Sequence, residues 1–175
     1  MVVAHQGGSR RNVTPPSGWT AVAGTDRANS KDVRIHAWFK VTGSSEPSSY
    51  TFTLTGGSGV DLSGGLLDVS GAGSSPINAS ASQSNGGPST SVSAPSITTT
   101  APNALLVFGG ACNDGSSFTA PAGMSEQWDV ATTGTAAVGT ETATAGFANP
   151  GATGTRTAIA SGSCRSVGVQ VAISA

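Results

Sequence analysis

Residues 104–124, ALLVFGGACNDGSSFTAPAGM, decide the fold, because residues 1–19, MVVAHQGGSRRNVTPPSGW, repeat them. A shift of about 105 positions lays one stretch on the other without a gap. Val2 then falls on Val107, Val3 on Phe108, Thr14 on Thr119, Pro16 on Pro121, Gly18 on Gly123 and Trp19 on Met124. Each copy is a short apolar run, a polar loop, and Thr-x-Pro-x-Gly before a bulky apolar residue. Proline presets φ in such a turn and glycine supplies its left-handed position. A strand–loop–turn unit at this spacing predicts two related halves of one β-structure, since solenoid repeats recur every 20–50 residues or so.

The flanking sequence extends the same reading. Residues 31–41 alternate, with Val33, Ile35, Ala37, Phe39 and Val41 facing one way and Asp32, Arg34, His36, Trp38 and Lys40 the other. Period-two alternation over this length is the strongest strand signal in the chain. Trp38 is the odd member of the polar face, to be packed under a loop or placed at an interface. Further strands are expected at 50–55, at 66–69 after a Gly-rich turn, at 77–82, and at 90–100 with an interruption at Pro95. Proline demotes that part to an edge or a bulge. After the second copy come 125–131, 135–145, 155–160 and 165–174, the last with Val167, Val169, Val171 and Ile173 on one face.

No segment has helical period. Eleven or twelve short strands predict an all-β, two-sheet antiparallel β-sandwich, one domain over 1–175, with a pseudo-repeat of about 1–55 and 104–160. A Ser/Thr-rich strand leads into the second copy, whereas no such strand precedes Met1. The first copy is therefore expected to lack its leading strand or to borrow it from another chain, leaving Met1–His5 as an open sheet edge.

Composition narrows the functional classes. A chain of 175 residues buries roughly 70% of its unfolded surface and needs no disulfide to fold. With 25 glycines and nine prolines the chain is turn-rich, and its charged residues, at 10%, fall well below the roughly 25% of an average domain. A net charge of −1 argues against nucleic acid as a partner. The signs are segregated: Arg10, Arg11, Arg27, Lys31, Arg34 and Lys40 precede residue 41, and the next basic residue is Arg156. A solvated face is the plain reading. The sharper one makes Arg10, Arg11, Arg34 and Lys40 an assembly contact between copies. No apolar run approaches the roughly 20 residues that span a bilayer, so no membrane partner is expected, and MVVAHQGG has no signal-peptide pattern.

Chemistry is sparse. Cys112 and Cys164 belong to no CxxC pair, which argues against zinc, and they form one bridge or remain two buried thiols. The bridge is expected between neighbouring antiparallel strands, Cys112 ending one and Cys164 starting the next. The two histidines, His5 and His36, sit on strands, and no Gly-x-Ser-x-Gly elbow precedes a helix. Asp61, Asp68 and Asp114 lack the dense spacing of a calcium loop. No catalytic set, metal or cofactor is therefore expected. Trp38 and Trp128 are the aromatics that could stand exposed as a surface or sugar contact, with core packing as their plain role.

Five landmarks occur in order: PPSGW at 15–19, WFKVTGSSEPSSYTFT at 38–53, SSPINASA at 74–81, TTTAPNALLVFGG at 98–110 and PAGM at 121–124. Together they resemble phage and bacterial surface β-sandwich modules. The resemblance implies a jelly-roll-like sandwich of capsid decoration, head or tail-fibre proteins, on a virion surface. It implies partners among virion proteins or copies of the chain, with a trimer as the expected oligomer. The alternative is a secreted carbohydrate-binding or adhesive module.

Overall fold

The computed structural model describes residues 1–30, 32–56, 59 and 61–174. Lys31, expected to open a strand, and Gly57 and Ser58 of the expected Gly-rich turn lie outside them. The first strands are β1 (Val2–Gln6), β2 (Asn12–Thr14), β3 (Thr20–Ala21), β4 (Arg27–Asn29), β5 (Val33–Phe39), β6 (Thr53–Thr55) and β7 (Leu62–Gly65). Then come β8 (Ile77–Ser84), β9 (Ser89–Ala94), β10 (Thr98–Thr99), β11 (Ala104–Cys112) and β12 (Phe118–Thr119). The last are β13 (Ser125–Ala131), β14 (Gly139–Phe147), β15 (Gly151–Ala152), β16 (Arg156–Cys164) and β17 (Ser166–Ile173). Only a 3-10 turn at Gly8–Arg10 interrupts this all-β chain among the described residues.

The strands form four stacked layers. A first inner sheet runs β3-β5-β1-β7, with β4 also on β5, and a second inner sheet runs β13-β14-β11-β17-β8. The pair β2-β6 covers the first on its outer face, and β12-β16-β9 covers the second, while β10 and β15 form a short ribbon. Val2, Val33, Ile35, Val107, Val167 and Val169 lie in one apolar cluster between the inner sheets. Val92, Phe108, Phe118 and Ala158 lie in a cluster between the second inner sheet and its cover, and Val3, Val13 and Trp38 in one between the first and its cover. Alternation produces this directly: successive side chains on β1 and β5 enter different layers.

The repeat is structural. Gly18 and Gly123 take φ of 85° and 75°. Trp19 N donates to Pro16 O at 3.4 Å, as Met124 N does to Pro121 O at 3.0 Å. β1 meets β7 with Val2 opposite Gly65 and His5 opposite Leu62, and β11 meets β17 with Val107 opposite Val171 and Gly110 opposite Gly168. Thus 105 added to β1 and 106 added to β7 convert one pairing into the other. Val2 faces Ala37 and Val107 faces Thr144, so 107 added to β5 converts that pairing likewise.

Three expectations are corrected. Met1–His5 is no open edge, because β1 is paired on both sides, to β5 and to β7. The strand expected at 66–69 is instead Leu62–Gly65. A Cβ on Gly64 would lie 2.5 Å from Val2 O, and one on Gly65 would lie 2.3 Å from the Trp128 ring, so crowding rather than turn geometry requires glycine there. Finally, Cys112 ends β11 and Cys164 ends β16, in facing layers rather than on neighbouring strands. Their bridge therefore ties a sheet to its cover.

Candidate functional site

A concavity of about 660 Å³ opens at one end of the interface between the inner sheets. Its walls come from Trp19 behind the first Pro-Gly turn, Phe39 and Lys40 at the end of β5, the segment 66–73, Trp128 on β13 and Val171 on β17. Most of this lining is apolar, and the size lies within the range of small-ligand pockets. Trp19 meets Tyr50 and Phe52 edge to face, with ring centres 5.2 and 5.3 Å apart. Glu46 at the rim bonds Lys40 Nζ and the Tyr50 hydroxyl, and it accepts from Gly43 N at 2.8 Å. Those hydrogen bonds, Lys40 first, hold its carboxyl down at about 2. A carboxylate this committed orients a loop and does not accept a proton near neutral pH.

Trp128 forms the floor. Its ring covers Gly65, and it stands directly opposite Thr142 in the sheet. Trp128 Nε1 and Thr142 Oγ1 are both buried without a hydrogen-bond partner.

A second constellation lies between the first inner sheet and its cover. His5 and His36 approach through their Nε2 atoms at 3.2 Å, and His5 Nδ1 lies 2.7 Å from Gln6 O. His36 Nδ1 lies 3.4 Å from Asp26, which takes two hydrogen bonds from Arg34, each 2.6 Å. Burial above all, with the charge of Arg34 and the neighbouring His5, lowers His36 to about 4 against the pull of Asp26. A cavity of about 170 Å³ beside them is lined by Asp26, His36, Thr25 and Trp38. The hydroxyl of Thr25 there, Oγ1, donates to Val22 O at 2.7 Å. It is therefore not poised as a nucleophile, and the histidines are locked into the layer.

The second half holds its own buried carboxyl. Glu141 faces the covering sheet, fully enclosed, with neither carboxylate oxygen hydrogen-bonded. Burial first, then the nearby Glu126 and Asp129, push its carboxyl up to about 8, so it is protonated at neutral pH.

The residues singled out from sequence separate. Trp38 is 6% exposed, stacked on His36 at 5.1 Å, so its packing role is the one observed and it offers no surface contact. Trp128 is half-buried and faces the cleft. Of the proposed assembly cations, Arg34 is used by Asp26 and by Arg11 O, Lys40 by Glu46, and Arg11 is half-buried. Arg10 alone of the four is exposed. Cys112 and Cys164 are bridged, which removes them as ligands beside Asp114. The histidine pair escaped the sequence because its contact needs the β1–β5 register. Glu141 left a faint trace, a carboxylate on the same strand face as Ala143.

Comparison with protein-family models, curated proteins and solved structures returned no match.

Proposed function

We propose that the protein is a non-enzymatic structural module of a virion surface, a capsid decoration or head or tail-fibre element that acts by shape and assembly. One observation carries this reading: the histidine pair with Asp26, the rim carboxylate Glu46 and the two cysteines are each committed to contacts that tie parts of the fold together. The Asp26–His36–His5 line ties β5 to β1, the Lys40–Glu46–Tyr50 group ties the loop after β5, and the Cys112–Cys164 bridge ties a sheet to its cover. A bridge of this kind suits an oxidising setting outside the cell. Few charges and many hydroxyls suit a durable β-surface. Quantitative mass spectrometry of purified virions tests the proposal. A fixed stoichiometry with the capsid or tail proteins supports it, and absence from virions overturns it.

The alternative, a carbohydrate-binding or adhesive module, draws on the cleft with Trp19, Tyr50 and Trp128 at its walls. Retention on a glycan matrix that is lost in Trp128→Ala but kept in Arg10→Ala would favour it.

A further inference from the structure

Two edge strands of the second half have no counterpart in the first among the described residues: β8 on β17 and β9 on β16. In the second half β17 lies between β11 and β8, with Val167 opposite Ser84 and Val171 opposite Ser80. Its counterpart β7 pairs with β1 on one side, and no strand pairs with its other side among the described residues. The cover over β8 comes from the first half, where Ala23 O and Gly24 O accept from Ser80 Oγ at 2.5 Å and Ser82 Oγ at 2.6 Å. The matching cover beside β7 is β13 beyond its bulge, where Val130 shares the inward face of Trp128 and is 39% exposed. Leu66, the next residue after β7, is 55% exposed. An unpaired edge with two exposed apolar side chains beside it is a template for an added strand.

We propose that the free edge of β7 accepts one extended strand of a partner protein, which completes the first inner sheet as β8 completes the second. The inference does not rest on the virion reading. β8 already occupies the equivalent interface, so it specifies the occupant: INASASQS, uncharged, with small side chains and hydroxyls that reach the covering carbonyls. Asp61 and Asp68 bracket β7, and no basic residue lies between Lys40 and Arg156, so the flanks of the partner strand are basic or neutral. The occupant is a strand and not a hairpin. Behind β17, a Cβ on Gly168 would lie 2.3 Å from Ser93 O, so glycine lets β9 cross there. The matching residue behind β7 is Leu62, whose side chain packs toward Val3, Val13 and Trp38 and fills that space. A second copy does not lend its β8 either. Each copy has one β8, already paired along β17, and lending it opens an edge for each one closed.

A fluorescent peptide, Lys-INASASQS-Lys, titrated onto the intact protein is the test, read by anisotropy and by amide exchange. Saturable binding with exchange slowed at Leu62–Gly65 is expected, with affinity at least about tenfold weaker for Val130→Asp and lost for a peptide with proline at its centre. Three results overturn the proposal: no binding at millimolar peptide, protection elsewhere than β7, or β7 amides already protected in a concentration-dependent dimer. None of these bears on whether virions contain the protein, so the two proposals fail separately.

Discussion

The first half, residues 1–65, and the second, residues 104–173, share a strand order but not the material between their layers. Against its cover the second half sets Phe108, Val92 and Ala158 and a disulfide; at the corresponding place the first half sets Val3, His5, His36 and Trp38. The central strands differ in length too: β11, β14 and β17 have nine, nine and eight residues, against five, seven and four in β1, β5 and β7. Backbone pairing and alternation therefore suffice to repeat the architecture. What fills a layer is a local matter of volume and hydrogen bonding. Phe108 and Val3 show this, since they hold matched positions and both are fully buried.

Substitutions at matched sites break the comparison most sharply. Phe108→Ala should cost about 3–5 kcal/mol, because a whole ring leaves a cavity that the sheets cannot close, and Val3→Ala about 2 kcal/mol. Urea unfolding of the two variants measures the ratio, and equal losses would show that the halves are not equivalently packed.

Next in size is reduction of the bridge, which closes a 52-residue separation in the second half only. The chain-entropy account gives a loss of about 4 kcal/mol. Unfolding with and without reductant should show it, with amide exchange rising first in β11 and β16 and not in β1 and β5.

The two halves should also fail at opposite ends of the pH scale. His36 has a folded value of about 4, below its ordinary 6.5, so its contribution is full above 6.5 and is lost as pH falls through 4. Glu141 has a folded value of about 8, above its ordinary 4.5, so its contribution is full below 4.5 and is lost as pH rises through 8. Glu141→Gln should flatten the decline between 4.5 and 8 and leave the acid limb unchanged. Stability measured by urea at a series of pH values checks this, and an unchanged alkaline slope would remove Glu141 as its cause.

The smallest effect belongs to the Arg34–Asp26 pair, half of which is open to solvent. Asp26→Asn should cost no more than about 1 kcal/mol, a cost that shrinks in high salt. A loss that persists in salt would point to the His36 contact rather than to the ion pair.

Much of this organisation was legible in the chain. The two Thr-x-Pro-x-Gly turns marked the repeat, and the alternation at 31–41 marked a strand. The site was much less legible. Gly64 and Gly65 resemble a turn in the sequence, yet they are strand residues, because Val2 and Trp128 approach them from parts of the chain that are far away in sequence. Trp38 looked like an outward residue because alternation distinguishes two faces but does not say that both are covered. The histidine pair and the unpartnered Glu141 depend on register and on a covering layer, which no local pattern encodes.

Local stereochemistry, carried by proline, glycine and period-two alternation, determined that the chain is all-β and doubled, since these act within a few residues. Only the tertiary structure decided that the copies stack into four layers, that Cys112 reaches Cys164 across a layer, and that β7 keeps a free edge among the described residues. Those outcomes depend on which distant backbones come within hydrogen-bonding or van der Waals reach, a property of the assembled sheets and of no single stretch.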